Sequence, residues 1–287
     1  MSPDITVGVP VYNSAALMGD CLDCLSEQTY RGFTARVFDN ASTDATAEIV
    51  AARAAADPRF LLHRQPENVG AGQNFLDALA AAETEFFLWR ADDDLTAPDY
   101  LARTRALLLE NPGAALAVGH VESRRPAKGR IRQHPFIEPS GARVWTILRR
   151  MFLCHPSWIY GLWRTEALRR YYLGTWEAYP HPWANDHLVL LNVILDEAVV
   201  GDNGTRFIQR IGVRGGAPRS AAQKRAARAE ARRLRPIFGA VCDAAIRVRG
   251  FSTLEERVLL GASGLYADKR VNATAMPWRR IHAAKSP

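Results

Sequence analysis

The sequence predicts an α/β fold with a largely parallel sheet. Through roughly the first 120 residues, short apolar runs typical of buried strands alternate with segments of helical periodicity. Polar residues directly follow several of these runs, at the strand ends beyond which such sheets bind their ligands. The chain has 287 residues, 48% of them hydrophobic and 23% charged. It is therefore long and apolar enough for a sizeable core, in one large domain or two modest ones.

Five strands and four intervening helices are predicted in this first part. Apolar runs rich in β-branched and aromatic residues place the strands at 5–12, 34–40, 60–65, 85–91 and 114–121. Apolar stripes place the helices at 15–27, 43–56, 74–82 and 98–110. The residues suited to begin these helices are Asn13 or Ser14, Ser42 or Thr43, the turn 68–72, and Thr96 with Pro98.

The second half of the chain is less regular. Residues 126–143 are predicted to form a loop, and helices are predicted at 144–153, 164–172 and 183–195. A helical, basic region is predicted from about residue 219, and the remaining residues, 265–287, show no clear pattern.

The positive charge of the chain is concentrated near its C-terminal end. The net charge is +7 and the isoelectric point about 9.5, which favours an anionic partner such as a nucleic acid, a membrane surface or an anionic substrate. Residues 214–236 hold many of the Lys and Arg side chains and a single acid, Glu230. Two interpretations stay open for this stretch, a solvated basic helix and a surface that contacts a membrane or another polyanion.

Three features of the sequence bear on location. There is no run of about 18 apolar residues, so no transmembrane helix is expected. The N-terminus lacks a basic region followed by a long apolar one, so no secretory signal is expected. The four cysteines are few and irregularly spaced, which favours a reducing cytoplasm over a disulfide scaffold.

Three adjacent aspartates, Asp92, Asp93 and Asp94, follow the predicted strand 85–91. Adjacent carboxylates repel each other, so solvent or a cation must compensate their charge. One interpretation is a solvated polar loop in which Asp94 or Thr96 begins the next helix. The other is a site for Mg²⁺ or Mn²⁺, which bind carboxylate oxygens together with water and substrate phosphates.

Two further aspartates are candidates for chemistry. Asp39 ends the predicted strand 34–40, where its carboxylate can accept a hydrogen bond from a ligand or simply precede a capped helix. Asp186 opens the apolar run 183–195, either as an acid favoured by the helix dipole or as a general base that faces a pocket. The parallel topology is expected to bring three strand-end segments to one crevice, namely 10–13, 39–44 and 92–94.

Five short motifs follow one another along the chain. They are VPVYN at 9–13, FDNASTD at 38–44, NVGAGQN at 68–74, ADDDLTAPDYL at 91–101 and NDHLVLL at 185–191. In this order and spacing they resemble the family 2 glycosyltransferases, the inverting group with the GT-A fold. The segment HPSWIYGLWRTEAL at 155–168 also resembles the one that this family places between its metal motif and its base.

The resemblance covers about residues 4–200 and implies an organisation for the whole chain. A GT-A-type sheet that binds a nucleotide sugar, flanked by helices, would form a catalytic domain over 1–205. Its nucleotide-binding half would span about 1–121 and its acceptor half about 122–205. A mainly helical, basic C-terminal region would follow over 206–287.

The resemblance also implies roles for individual residues. Asp39 would accept a hydrogen bond from the N3–H of uracil or thymine, and Asp186 would be the general base. The residues implied in nucleotide binding are Pro10, Tyr12, Asn13, Asp39, Asn68, Gly70 and Asp92. The metal ligands implied are Asp93 first, then Asp92 and Asp94. The chain departs from the family pattern at Asn185, where the family has Glu, and at Ala91 in the metal motif, so the choice of the two metal-binding aspartates stays open.

The function implied by the resemblance is that of an inverting, metal-dependent glycosyltransferase. It would use Mg²⁺ or Mn²⁺ and move one sugar from a UDP or dTDP sugar to a hydroxyl of a glycan or lipid-linked acceptor, in glycan or polysaccharide biosynthesis. The Q-x-x-R-W pattern of processive synthases is missing, so transfer of a single sugar is expected.

Two alternatives to this function stay open. One is a metal-dependent nucleotidyltransferase, and the other is a basic protein that binds nucleic acid or a membrane. For the glycosyltransferase, no nucleic acid partner is expected. Its expected location is the cytoplasm, with peripheral contact to an anionic membrane at its inner face left open.

Overall fold

The first half of the sheet consists of four parallel strands. The computed structural model describes residues 2–214 and 220–273. These strands are β1 (Ile5–Val11), β2 (Phe33–Asp39), β3 (Phe60–Arg64) and β4 (Phe86–Trp89), and they lie in the order β3-β2-β1-β4. All seven residues of β1 are buried, as expected of a central strand covered by helices on both faces. The predicted α/β fold is confirmed.

Helices connect these strands, as the sequence predicts. They are α1 (Ala15–Ser26), α2 (Thr46–Ala56) and α3 (Ala71–Ala80), and a fourth helix, α4 (Tyr100–Glu110), follows β4 along the chain. The parallel register places Val11, Asp39 and Arg64 side by side at the carboxyl edge of the sheet. Because each connecting loop leaves from this edge, the loops after β1, β2 and β3 lie next to one another.

The second half of the sheet differs from the prediction, because antiparallel strands enter it. The remaining strands are β5 (Leu95–Thr96), β6 (Leu116–Arg125), β7 (Arg130–His134), β8 (Leu162–Arg164) and β9 (Val199–Arg210). The fifth predicted strand, β6, does not lie beside β4, because β8 is inserted antiparallel to both. β9 then runs parallel to β6 and antiparallel to β5. The sheet of the described residues is therefore mixed.

The predicted loop over 126–143 contains a strand. Pro126–Lys128 form a short 3₁₀ turn, and Gly129 adopts a left-handed conformation with φ of 56°, which reverses the chain into β7. β7 reads RIRQH and pairs antiparallel with β6. Arginine, glutamine and histidine do not produce the apolar alternation by which a strand is recognised in a sequence, which explains the wrong prediction.

Helices also follow in the second half, close to their predicted places. They are α5 (Arg143–Leu153), α6 (Thr165–Ala178), α7 (Asn185–Leu195), α8 (Ala221–Arg247) and α9 (Thr253–Ala273). α8 begins at a capping box formed by Ser220 and Gln223. Of the basic stretch, Arg214 and 220–236 are described, whereas 215–219 lie outside the described residues. Among the helices that the structure describes, none is both long and apolar enough to cross a membrane.

The C-terminal helices pack on the segment that carries Asp186. The Tyr266 hydroxyl of α9 donates to the His187 carbonyl oxygen at 2.8 Å, and the Trp183 indole N–H donates to the Val271 carbonyl oxygen at 3.1 Å. α9 therefore holds the start of α7 in place. The division of the chain near residue 205 stays a prediction, and β9 runs across that position.

We expect the substitution Gly161→Ala to destabilise the fold. A Cβ atom on Gly161 would lie 2.6 Å from the Ala117 carbonyl oxygen and 2.6 Å from Leu116 Cδ1, at the junction of β6 and β8. Because moving the backbone oxygen of a central strand would distort the hydrogen bonds of the sheet, the free energy of unfolding should fall by about 1–3 kcal/mol. The measurement is urea unfolding followed by circular dichroism.

Gly174→Ala is the matched control for this substitution. Gly174 lies inside α6, and a Cβ atom there meets no other atom within 4 Å. Alanine is the better helix former, so this variant should be more stable than the parent by up to about 1 kcal/mol. An unchanged unfolding midpoint in Gly161→Ala would contradict the packing described for β8.

Candidate active site

Asp39 lies at the carboxyl end of β2 and is fully buried. Its Oδ1 accepts the backbone N–H of Ser42 at 3.1 Å. Its Oδ2 lies 3.4 Å from Arg64 Nε, and among the described residues no donor forms a hydrogen bond with it. A buried carboxylate oxygen in this condition has an open capacity to accept a hydrogen bond from a ligand.

Asn13 joins the loop after β1 to the loop after β2. Its backbone is left-handed, with φ of 50°, and its N–H donates to Ser42 Oγ at 2.9 Å. Its Oδ1 accepts the backbone N–H of Thr43 at 2.8 Å. The side chain that the sequence places in nucleotide binding therefore holds the two loops together.

Asp44 caps two helices at once, in place of the caps predicted from the sequence. Its carboxylate accepts the N–H of Ala15 at the start of α1, at 3.1 Å, and the N–H of Thr46 at the start of α2, at 3.0 Å. Burial would raise the pKa of this carboxyl, but the hydrogen bonds from Thr46 and Ala15 outweigh it and lower the pKa. The Ser14 hydroxyl, which the sequence predicted as a possible cap of α1, does not cap that helix and instead donates to Asp92.

The loop before α3 is held by two asparagines. Asn40 Oδ1 accepts the N–H of Val69 at 2.9 Å, and Asn68 Oδ1 accepts both Asn40 Nδ2 at 3.0 Å and the N–H of Gly70 at 2.9 Å. Gly70 has φ of 85°, a conformation that glycine adopts without strain. This network fixes the loop that the sequence predicts beside the nucleotide.

One cleft collects residues from these loops. Of the predicted nucleotide-binding residues, Pro10, Tyr12, Asn68 and Asp92 line it. Asn13, Asp39 and Gly70 are not in its lining, and they make the supporting contacts described above. The Tyr12 side chain is 38% exposed, so a face of its ring is free to contact a flat ligand.

Arg214 and Ser14 contact the buried carboxylate of Asp92. Arg214 Nη2 forms an ion pair with Asp92 Oδ1, and the Ser14 hydroxyl donates to Asp92 Oδ2. Arg214 Nε lies 3.1 Å from Asp93 Oδ2 as well. The guanidinium group of Arg214 therefore lies between two of the three carboxylates, where a bound cation would also be expected.

Arg210 holds the other two aspartates of the loop. Its Nε donates to the Asp93 carbonyl oxygen at 2.6 Å, and its backbone N–H donates to Asp94 Oδ1 at 2.9 Å. Burial raises the pKa of Asp93, and burial together with the charge of Asp93 raises the pKa of Asp94 well above its usual range. Asp94 thus accepts from β9 and does not cap α4.

The sequence does not identify these arginines as partners of the aspartates. Arg90, fully buried beneath the loop, is a third one, and its Nη2 donates to Thr96 Oγ1 at 2.9 Å. The available signal was the acidic cluster itself, because three carboxylates next to a strand end require a positive partner. The sequence cannot show which arginines supply it, since Arg210 and Arg214 lie more than a hundred positions along the chain.

Asp186 lies in the first turn of α7, after Ala184 in a left-handed conformation with φ of 62°. Asp186 and the acidic loop both influence the hydroxyl of Tyr160. Burial raises the pKa of Tyr160 well above its usual range, and the charges of Asp94, Asp93 and Asp186 add to the rise. The charges of Asp186 and of the acidic loop therefore act on one side chain, Tyr160, which nothing in the sequence singles out.

The family model described as Glycosyl transferase family 2 matches residues 6–186. Among curated proteins, glycosyltransferase GlyA of Streptococcus pneumoniae is 32% identical over 130 residues, 45% of this chain and 18% of that protein. A PGL/p-HBAD biosynthesis glycosyltransferase of Mycobacterium bovis is 31% identical over 129 residues, 43% of this chain and 48% of that protein. The matched part of the chain thus spans less than half the length of these relatives.

Solved structures agree in fold at low sequence identity. S. aureus TarS 1–349 in complex with UDP superposes with a TM-score of 0.68 and 18% identity, over 96% of this chain and 73% of that one. The mannosyltransferase PcManGT from Pyrobaculum calidifontis, in complex with GDP-Man and Mn²⁺, superposes with a TM-score of 0.57 and 21% identity, over the same shares. The family match covers well over half of the chain, and with this fold it establishes that the chain belongs to glycosyl transferase family 2, with a GT-A-type sheet.

Proposed function

We propose that the protein is an inverting, metal-dependent glycosyltransferase that moves one sugar from a nucleotide diphosphate to an acceptor hydroxyl, in glycan or polysaccharide biosynthesis. The observation that carries the proposal is the position of the cleft at the carboxyl edge of the sheet, where Asp39 ends β2 with a buried acceptor atom and the acidic loop contributes Asp92 to the lining. The charge of Asp186 acts on the same tyrosine, Tyr160, as the charges of that loop. Structural neighbours support the donor class, since TarS is described with UDP and UDP-GlcNAc, and PcManGT with GDP-Man.

The donor proposed is a UDP or dTDP sugar. Uracil and thymine carry an N3–H group, and Asp39 Oδ2 is a buried acceptor whose hydrogen-bonding capacity is open among the described residues. The exposed ring of Tyr12 would contact a face of the base, and Asn68 would border the ribose and phosphates.

In the proposed chemical step, Asp186 takes up the proton of the acceptor hydroxyl. Its carboxylate accepts the proton of the acceptor hydroxyl while that oxygen forms a bond to the anomeric carbon, and the bond from this carbon to the diphosphate oxygen breaks. Attack from the face opposite the diphosphate inverts the configuration. The released product is a nucleoside diphosphate, whereas a nucleotidyltransferase would release pyrophosphate, so product analysis separates the two functions.

The acidic loop fits a divalent cation in its chemistry. The carboxylates of Asp92 and Asp93 are hard oxygen ligands that converge on one positive charge, and Mg²⁺ often takes only one or two protein carboxylates beside substrate phosphates. Within residues 2–214 and 220–273, no cluster of three or more His, Cys, Asp and Glu side chains is arranged around a metal position. A cation bound there would neutralise charge on the leaving diphosphate, and Arg214 would have to leave the carboxylates first.

The acceptor proposed is a glycan or a lipid-linked saccharide. A lipid-linked acceptor lies at a membrane surface. The exposed face of α8 carries arginines such as Arg225, Arg228 and Arg232, which can form ion pairs with anionic headgroups. The four cysteines are buried free thiols, as the cytoplasm would leave them. These features support the location that we propose, the cytoplasm, with peripheral membrane contact through α8.

We expect Asp186→Asn to lower kcat by about 10²–10⁴-fold, because the amide cannot accept the proton of the acceptor hydroxyl. The affinity for UDP should stay unchanged, since Asp186 acts on the acceptor. Release of nucleoside diphosphate and calorimetric titration of UDP measure the two quantities. The control is Asp23→Asn, an exposed aspartate of α1, and a kcat in Asp186→Asn equal to that of this control would exclude Asp186 as the base.

We expect Asp39→Asn to change the preferred base. The amide oxygen would keep the hydrogen bond from Ser42, so the amide NH₂ would replace Oδ2 and present a donor to the base. The N3–H donor of uracil would then face a second donor, which is unfavourable. The N3 atom of cytosine is an acceptor, so it would accept a hydrogen bond from the new amide. UDP should bind at least about tenfold more weakly and CDP more tightly than in the parent. If calorimetry shows an unchanged preference for UDP in a folded Asp39→Asn variant, Asp39 does not read the base.

We expect Arg214→Gln to bind Mn²⁺ about tenfold more tightly in the absence of nucleotide. The substitution removes the positive charge that Asp92 and Asp93 share, so a cation no longer competes with it. Titration of free Mn²⁺ by electron paramagnetic resonance gives the Kd. Arg225→Gln, on exposed α8, is the control for loss of one charge, and equal Mn²⁺ affinity in the two variants would argue against a cation site at these carboxylates.

A further inference from the structure

A second cavity, of about 280 Å³, lies beside the β6–β7 hairpin. This is far more than the about 15 Å³ that one water molecule requires. Its lining comes from β6, β7, the end of β9 and the segment after α5, and consists of Ser123, Arg125, Arg130, Arg132, His134, His155, Gln209 and Ile211. The cleft of the proposed donor has none of these residues in its lining. The cavity is therefore a separate site, which we call the hairpin pocket.

Three arginines crowd one face of the hairpin. Arg125 lies directly across from Arg130 in the antiparallel ladder, and Arg132 lies across from Ser123 on the same face. Like charges directly opposite each other on neighbouring strands destabilise a sheet. Within the described part of the chain, none of the three arginines forms an ion pair, and no acid lines the pocket. The face thus keeps an uncompensated positive charge.

The other face of the same hairpin carries a buried acid beside its arginines. There Glu122 pairs with Arg124 and lies 3.6 Å from Arg206, and it also accepts Gln133 Nε2 at 2.9 Å. These hydrogen bonds and positive charges lower the pKa of Glu122 despite its burial. One strand pair therefore supplies an acid for the arginines of one face and leaves those of the pocket without one.

The uncharged side chains of the pocket are arranged as donors. His155 Nδ1 accepts the N–H of Ser157 at 3.2 Å, so its proton lies on Nε2, which faces Ser123 Oγ at 3.4 Å. The Ser123 hydroxyl then donates to Gln209 Oε1 at 2.9 Å, which leaves the amide NH₂ of Gln209 as a donor. Burial lowers the pKa of His155 to about 3, so the ring is neutral at physiological pH, as this chain of hydrogen bonds requires.

The hairpin pocket is connected through β9 to the acidic loop, because Ile208 of β9 pairs with Leu95, which directly follows Asp94, and Gln209 lines the pocket. Gln209 directly precedes Arg210, which holds Asp93 and Asp94. His155 directly follows Cys154, whose thiol pKa is raised by burial; the charges of Arg270 and Lys269 oppose this rise and the charge of Asp186 adds to it. We expect an acceptor with its hydroxyl at Asp186 to extend toward the pocket.

We infer that the hairpin pocket binds a phosphate group carried by the acceptor, as a monoester or diester. Arginines bind phosphate through pairs of parallel hydrogen bonds, and an anion placed between Arg125, Arg130 and Arg132 relieves their mutual repulsion. Gln209 adds a neutral donor from β9. The role in acceptor binding rests on the proposed function, whereas the phosphate site itself does not.

The test compares two triple variants in the full-length chain. R125Q/R130Q/R132Q removes the charge of the hairpin pocket, and R225Q/R228Q/R232Q removes the same charge from exposed arginines of α8 that form no ion pair within the described residues. The probe is sn-glycerol 3-phosphate, titrated by calorimetry, with glycerol as the neutral control. We expect the hairpin variant to bind at least about tenfold more weakly and the α8 variant to bind within about twofold of the parent. Equal affinity in the parent and the hairpin variant, or equal weakening in both variants, would overturn the inference.

Thermal unfolding provides a second readout that separates binding from misfolding. Without ligand, the hairpin variant should melt at or above the temperature of the parent, because the repulsion between Arg125 and Arg130 is gone. Glycerol phosphate should raise the melting temperature of the parent and not that of the variant. A rise of equal size in both proteins would contradict the site.

Vesicles distinguish the source of the phosphate. Because α8 is the proposed membrane contact, vesicle binding is compared between the parent and the hairpin variant alone. If the hairpin variant binds phosphatidylglycerol vesicles at least about tenfold more weakly than the parent, the phosphate belongs to a lipid headgroup. If the two proteins bind vesicles equally while the hairpin variant fails to bind glycerol phosphate, the phosphate belongs to a soluble acceptor. Asp186→Asn should bind glycerol phosphate with the affinity of the parent. The phosphate site can therefore be confirmed even if Asp186 is not the base, and Asp186 can be confirmed as the base even if the phosphate site is absent.

Discussion

The carboxylates at the end of β4 can be buried only because arginines accompany them. Moving a carboxylate out of water costs several kcal/mol unless a positive partner lies close by. Arg90 lies beneath the loop, whereas Arg210 and Arg214 come from the end of β9, more than a hundred residues later. The acidic loop therefore takes its shape only once β9 has docked beside β5 and β6.

The parallel half of the fold is readable from the sequence, and the reason is physical. Buried parallel strands are apolar runs, and the polar residues that end them mark the ligand edge, so β1 to β4 could be predicted with the helices between them. β8 has three residues and β7 is made of polar ones, so neither carries a periodic signal. Their pairing depends on tertiary contacts with β4 and β6, which a single sequence does not display.

The candidate site divides along the same line. Tyr12, Asp39 and the acidic loop belong to short contiguous motifs, and their placement at one edge follows from the topology. Tyr160 and Arg214 can be recognised as part of the site only in the folded structure, where they interact with aspartates that are far away in the sequence. The basic C-terminal region shows the same limit, because its charge pattern suggested a surface function alone, whereas α8 and α9 also have an apolar side and α9 anchors the start of α7.

Asp44 has a consequence for how a nucleotide would enter the cleft. One carboxylate is bonded to the first turns of α1 and α2, and Asn13 ties the same two loops a second time. Neither loop can open without breaking the bonds of the other, so the pair moves as one rigid unit. The conformational entropy of these loops is already lost when the chain folds, and a ligand that docks between them meets a surface that needs no further ordering. Selectivity for the base would then arise from fit to a fixed shape, with adaptation confined to the acidic loop and Arg214.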